Sequence, residues 1–160
     1  MRLTIAAVGR MKAGPEQELA ARYLDRLRKS GAPLGLDFSG VSEIAESRAA
    51  GVVERKRDEG ARLLALLPEG ARLLVLDETG RTPSSEEFAT LLTRHRNEGA
   101  RDLALAIGGP DGHGDELRAR ASGLIAFGRL TFPHQIVRIL LAEQLYRATT
   151  ILSGHPYHRT

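Results

Sequence analysis

Five consecutive residues near the C-terminus, His155, Pro156, Tyr157, His158 and Arg159, gather two imidazoles, a phenol and a guanidinium. Chain ends normally drift toward small polar residues, so a run this dense in hydrogen-bonding groups points to a site. Two histidines separated by two residues suggest a metal. With no cysteine in the chain and no third ligand nearby, a metal centre is not expected. An aromatic ring between cationic groups is better suited to stacking on a base and contacting a phosphate. The plain alternative is a solvated tail, which would not need Tyr157 beside two histidines.

Three further segments combine glycine with polar residues directly after apolar runs: Leu76–Gly80 (LDETG), Ile107–Gly114 (IGGPDGHG) and Phe127–His134 (FGRLTFPH). Paired glycines after a strand let a ligand approach the backbone closely. The middle segment is not a P-loop, because no Gly-Lys-Ser/Thr follows it. Nor is it G-x-G-x-x-G, and it comes late rather than after the first strand. There is no G-x-S-x-G, so Ser84 and Ser85 are better explained as helix caps than as nucleophiles. Glycine-rich turns also simply punctuate α/β folds; three of them on one sheet edge weigh toward a binding site.

The elements that must position these segments follow from periodicity and stop signals. Leu3–Val8 reads as a buried strand, Pro15–Lys29 as an amphipathic helix and Leu34–Val41 as a second strand. Ser42–Leu67 reads as charged and helical, opened by Ser42 or Ser47, with Gly51 and Gly60 as possible interruptions. Arg72–Asp77 is a continuous apolar strand, and Ser84 with Glu87 forms a capping box for a helix over Ser85–Asn97. Asp102–Ile107 is another strand, followed by a short helix Asp115–Ala121, a strand Ser122–Phe127 and a last helix His134–Leu152. Strands alternate with helices, and the central strands are apolar throughout. That predicts one α/β domain over residues 1–160, a mostly parallel sheet covered on both faces. Ligands of such sheets bind beyond the carboxyl ends of the strands, where all three glycine segments fall.

The last helix carries Ile136, Val137, Leu140, Leu141, Leu145, Ala148 and Leu152 as a wide stripe, flanked by Ile139, Tyr146 and Ile151. A helix apolar over more than half its circumference is internal or packs on a second subunit. Glu143 and Arg147 form a favourable i, i+4 pair on it.

Composition bounds the classes. The apolar fraction of 42% and charged fraction of 27% are those of an ordinary soluble protein. The start MRLTIAAVGRMK is too short in apolar residues for a secretory core, and no uncharged apolar run approaches the roughly 20 residues that cross a bilayer. A cytoplasmic protein is expected. The net charge of +3 is nearly all arginine, with lysine at 12, 29 and 56 alone. Either codon bias in a GC-rich genome or phosphate binding explains that choice.

LDETGRTPSSEEFA, AIGGPDGHG and LTFPHQIVRILLAEQLYRATTILSGHPYHR together closely resemble the bacterial ribosomal RNA large subunit methyltransferase H family, within the SPOUT superfamily of knotted methyltransferases. The resemblance runs over the whole chain, from the AAVGRMK start. It implies an α/β-knot fold, in which the C-terminal segment threads a loop to form a trefoil, and a homodimer. It implies S-adenosylmethionine held mainly by loop backbone, with contacts at Leu76, Gly108, Phe127, Gly128, Arg129, Leu130, Thr131 and Phe132. The implied substrate is a pseudouridine in helix 69 of 23S rRNA, methylated at N3 on the assembled 70S ribosome. The family usually has Ser where this chain has Gly128; a backbone contact there would survive the difference.

On that resemblance, N3 of the base is an imide whose proton must leave, and a positive group near its carbonyl oxygens would stabilise the anion. Arg138 and Arg147 on the last helix, and His158 and Arg159 in the tail, are the candidates. His158 or Arg159 is expected to position the base, with Tyr157 stacking against it and these three contacting RNA; a nearby base could assist. His134 is either part of that chemistry or a helix-start residue. The rivals are a non-catalytic knotted RNA-binding protein, and a small dinucleotide-dependent oxidoreductase, which the missing acidic ribose partner disfavours.

Overall fold

The computed structural model describes residues 1–158. Its sheet has five strands, β1 (Arg2–Val8), β2 (Asp37–Ile44), β3 (Arg72–Arg81), β4 (Asp102–Ile107) and β5 (Gly123–Ile125). They lie in the order β2-β1-β4-β3-β5, and every pairing is parallel. The helices between them are α1 (Pro15–Gly31), α2 (Val52–Ala65), α3 (Ser85–Asn97) and α4 (Asp115–Arg120), with α5 (His134–Ser153) after the last strand. None of them is long and apolar enough to cross a membrane.

Strand side chains alternate between faces, and both faces are apolar here. Leu3, Ile5 and Ala7 of β1, Leu74 and Leu76 of β3, and Leu103, Leu105 and Ile107 of β4 share one core with Leu27, Phe88, Leu92, Leu141 and Leu145. That core joins α1, α3 and α5 to the sheet. The intervening residues Ala6, Val8, Leu73, Val75, Ala104 and Ala106 pack on Leu63 of α2 and Leu117 of α4. Double coverage is why the central strands read as unbroken apolar runs. The small Ala104 and Ala106 allow the second layer to sit close.

Two segments depart from the sequence expectation. Ser42–Ile44 continue β2, paired with Ala6–Val8, and 45–51 is not helical; α2 starts only at Val52, after Gly51. An edge strand with one solvated face carries alternating charge, and from sequence alone that charge was attributed to a helix. Neither Ser42 nor Ser47 caps α2; the Ser47 backbone N–H instead donates to Glu59 Oε1 at 2.8 Å. Gly60 does not interrupt α2 but faces α4, where an added Cβ would meet the Cβ of Leu117 at 3.5 Å. The last strand is also shorter than expected, because the chain leaves the sheet after Ile125.

The crossing between β3 and β5 sets up everything that follows. Ile125 pairs with Leu76 and again with Arg81, so residues 77–80 bow around its backbone. A Cβ on Gly80 would lie 2.5 Å from the Ile125 nitrogen, so no larger residue fits there. The bow is held from inside: Asp77 Oδ1 accepts from the Thr79 backbone N–H (3.0 Å) and hydroxyl (2.6 Å). From α4, Arg118 donates to Thr79 Oγ1 at 2.8 Å.

Candidate active site

The carboxyl ends of β3, β4 and β5 open into a cleft of about 670 Å³. Its walls are apolar where the strands end, at Leu76, Ile107 and Ile125, and continue through Phe127, Phe132 and Val137. The floor is the loop Gly108–Gly114. There the glycines are needed for space: a Cβ on Gly108 would meet His113 Nε2 at 3.1 Å, and one on Gly109 would meet Val8 Cγ1 at 3.0 Å. The third wall is the segment from Ala126 to His134, which leads into the first turn of α5. All three glycine-bearing segments therefore converge on one cavity.

Charge in the cleft is arranged in fixed pairs. Asp111 of the floor is gripped by Arg55 Nε at 2.6 Å, and the same guanidinium donates to the carbonyls of Ala49 (3.2 Å) and Ala50 (3.0 Å). The Arg55 bond holds the Asp111 carboxyl below the usual carboxylate range. Burial pushes the Asp77 carboxyl up, but the hydroxyl and N–H of Thr79 and the charge of Arg118 outweigh it, and the group is held down. His113 is 6% exposed, and its Nε2 has no hydrogen-bond partner. Burial lowers its pKa to about 4, against the opposing charge of Asp77 and a backbone bond at Leu76. The imidazole is therefore neutral at physiological pH. Lys56, Glu78 and His134 complete the ionisable lining.

Of the residues that the resemblance assigns to a cofactor, Leu76, Gly108, Phe127, Gly128, Leu130, Thr131 and Phe132 line this cleft. Arg129 is exposed and is not among the lining residues. Leu130 stands 78% exposed at the rim. Gly128 has φ +143°, a backbone conformation that side chains rarely adopt, with open space where a side chain would project.

The tail is elsewhere. Tyr157 folds back on α5, donating its hydroxyl to Glu143 Oε1 at 3.1 Å and packing its ring 4.8 Å from Tyr146. The Arg147 guanidinium lies 4.9 Å from the Tyr157 ring and binds Glu143 through Nε at 2.9 Å. His158 Nε2 sits 2.7 Å from Glu86 Oε1, at the start of α3. Arg147, Tyr157 and His158 are not among the residues of the same chain that line this cleft. Arg159 lies outside the described residues. Arg138, another sequence candidate, is buried at 4% exposure, binding Glu43 and the carbonyls of Val8 (3.2 Å) and Gly9.

Sequence reasoning overlooked Asp77, Glu78, His113, Arg118 and Lys56. The first three stood inside segments already marked as loops, immediately after apolar strands, and that position was the available signal. Arg118 and Lys56 reach the cleft from helices on the opposite face, which no local spacing reveals.

The family profile described as a predicted SPOUT methyltransferase matches residues 1–158, which makes this cleft part of a SPOUT-class methyltransferase. Ribosomal RNA large subunit methyltransferase H of Brucella anthropi is 58% identical over 160 residues, covering 100% of both chains. Its counterpart in Sinorhizobium fredii is 57% identical over 159 residues, 99% of each. The chain belongs to the ribosomal RNA large subunit methyltransferase H family. Among solved structures, a methyltransferase from Legionella pneumophila in complex with SAM gives a remote likeness. Its TM-score is 0.47 at 13% identity, over 92% of this chain and 66% of that one.

Proposed function

We propose that this chain transfers a methyl group from S-adenosylmethionine to N3 of a pseudouridine in helix 69 of 23S rRNA, working in the cytoplasm as a homodimer on the assembled 70S ribosome. The observation that carries the reading is the convergence of LDETG, GGPDGHG and FGRLTFPH on one cleft, in a chain so close to relatives named for ribosomal RNA methylation.

The cleft fits the cofactor. Its volume of about 670 Å³ falls inside the roughly 300–1,000 Å³ of small-molecule sites. The apolar walls suit an adenosine, and the glycine floor lets it lie against backbone. The carboxylate of Glu78 suits the cofactor's ammonium group, and Lys56 lies on the same lining for its carboxylate. When bound, the cofactor supplies a methyl already activated as an electrophile, so alignment is the protein's main task. Leu76, Ile125 and Phe132 exclude water around it, and the Asp77–Thr79–Arg118 set keeps the wall in place. Gly128 permits a contact through backbone at a position where the family usually has Ser, and its φ fits glycine.

The double contact of Ile125 with Leu76 and Arg81 supports threading of the C-terminal segment as a trefoil. The exposed Ile136 and half-buried Ile139 and Leu140 on α5 support a homodimer. In such a dimer Tyr157, His158 and Arg159 would contact RNA, with His158 or Arg159 positioning the target base and Arg147 beside the Tyr157 ring. The decisive measurement is mass spectrometry of 23S rRNA from cells with and without this protein. N3-methylation in helix 69 is expected to vanish on deletion and return on complementation; an unchanged methylation pattern would reject the reading. Calorimetric titration with S-adenosylmethionine separates the enzyme from a non-catalytic RNA-binding protein, which would give no binding heat.

A further inference from the structure

Seven ionisable side chains line the cleft: Lys56, Asp77, Glu78, Asp111, His113, Arg118 and His134. Four are already engaged or sealed. Asp77 and Arg118 hold the bow of β3, and Asp111 is tied to Arg55. His113 is buried, with its free nitrogen packed beside Gly108. Lys56, Glu78 and His134 make no side-chain hydrogen bond or ion pair among the described residues. A lysine ammonium has no acceptor to offer. A carboxylate is a weak base for an imide proton. An imidazole, with a ring nitrogen free to accept a proton, is suited to the transfer.

Position adds an independent reason. His134 is the first residue of α5, and its turn is closed by Val137 N–H donating to Pro133 O at 3.0 Å. Its ring stands between the cleft and the loop that follows β1: Nε2 lies 3.7 Å from where a Cβ on Gly9 would be, and Glu46 Oε1 reaches the same point at 3.4 Å. That loop continues through exposed Arg10 and Lys12, neither of which has an ion pair among the described residues. The loop next to the His134 ring thus carries two exposed cations suited to an RNA backbone.

Resting on the methyl-transfer reading, we propose that His134 is the catalytic base that accepts the N3 proton of the target nucleotide. Arg10 and Lys12 hold the phosphates of the strand that delivers the base. The N3–H bond breaks and the proton moves to the imidazole. The pair left on N3 forms the new bond to the methyl carbon as the carbon–sulfur pair leaves with sulfur, and the imidazolium returns its proton to solvent. The charged groups around the ring are Glu46 from the end of β2, Arg10 and Lys12 from the β1 loop, and Glu78 on the same cleft lining. Arg138 stands one turn on, spent on Glu43 and two carbonyls.

The experiment compares wild type, His134→Gln and His134→Asn on undermethylated 70S ribosomes across pH, with calorimetric binding of S-adenosylmethionine measured on the same preparations. Loss of a general base predicts a kcat reduced by about 100-fold or more, with cofactor affinity changed by less than about threefold. The deficit should shrink as pH rises and the imide ionises unaided. The ring signals of His134 in NMR should shift on saturation with S-adenosylmethionine, while those of His155 should not. Arg10→Ala with Lys12→Ala should raise KM for ribosomes and spare kcat. A His134→Gln enzyme with kcat within about threefold of wild type, or one that loses cofactor affinity as much as turnover, overturns the proposal. Wild type that binds cofactor but methylates no ribosome would instead defeat the parent reading.

Discussion

The two ends of α5 each carry an arginine bound to a glutamate, and the two pairs do different work. At the start, Arg138 is 4% exposed and divides its guanidinium between Glu43 of β2 and the carbonyls of Val8 and Gly9 at the end of β1. It fixes the distance between the sheet edge and the helix that forms one wall of the cleft. At the far end, Arg147 is partly exposed and pairs with Glu143 of its own helix, while the Tyr157 ring packs over it. A guanidinium with backbone carbonyls as partners has nowhere else to go, whereas one bound to a neighbour on the same helix can exchange that neighbour for a phosphate. Burial, more than residue type, separates the architectural arginine from the one that stays partly open to solvent.

Replacing both arginines by methionine is the strongest way to break that comparison. In Arg138→Met the buried Gly9 carbonyl loses its donor, which costs about 1–3 kcal/mol, while the exposed Glu43 is left to solvent. Arg147→Met removes a partly solvated helical pair, for which at most about 1 kcal/mol is expected. Urea unfolding of the two variants measures both. Equal shifts in midpoint would mean that the depth of the pair does not matter here. Cofactor affinity should weaken in Arg138→Met and hold in Arg147→Met, since only the first supports a cleft wall.

A further test sharpens the contrast between cleft and tail through their histidines. His113 is buried in the cleft lining, and burial depresses its pKa to about 4. The unfolded chain therefore takes up that proton at higher pH than the folded one. The stabilisation is complete above about pH 6.5 and is lost as pH falls from there toward 4, amounting to about 3 kcal/mol over the whole window. His113→Gln should flatten the acid limb of a stability–pH curve from denaturant melts between pH 7.5 and 4. His95, also buried and pushed down by desolvation, then by Arg72, remains in that variant and keeps a residual limb. An unaltered slope would show that His113 is protonated without penalty.

How much of this could be seen in advance depended on the range of the interaction. The capping box of Ser84 and Glu87 was legible because both bonds close within one helical turn. The apolar run Asp102–Ile107 was legible because a strand buried on both faces leaves no other choice of residue. Ser42–Ile44 was not, since an edge strand shows its solvated face as a charge pattern that a helix also produces. The cofactor candidates in the three loops converged on one cleft because each loop directly follows a strand of the same sheet. The tail candidates were identified by residue type alone, and type carries no information on the direction in which a chain turns after Gly154. Here Gly154 takes a left-handed cap, with φ +67°, and sends Tyr157 back along α5 toward Glu143.

The smallest expected effect tests that return path most directly. Tyr157 is held by its hydroxyl bond to Glu143 and by ring packing on Tyr146 and Arg147. Burial, with the bonds to Tyr23 and Glu143, pushes its phenol well above the usual range, so it stays a neutral donor. Tyr157→Phe keeps the ring and deletes the hydroxyl. Glu143 still has Arg147 and Gln144 as donors, so no buried acceptor is orphaned and the cost should be roughly 1 kcal/mol. Cofactor affinity should not change, because neither Tyr157 nor Glu143 lines the cleft of its own chain. If the tail meets RNA, the variant should raise KM for ribosomes more than it lowers kcat, since the latch that orients Tyr157 weakens while the chemistry stays intact. A fall in cofactor affinity in Tyr157→Phe would instead place the tail against a cofactor cleft, and within one chain its path along α5 does not reach that far.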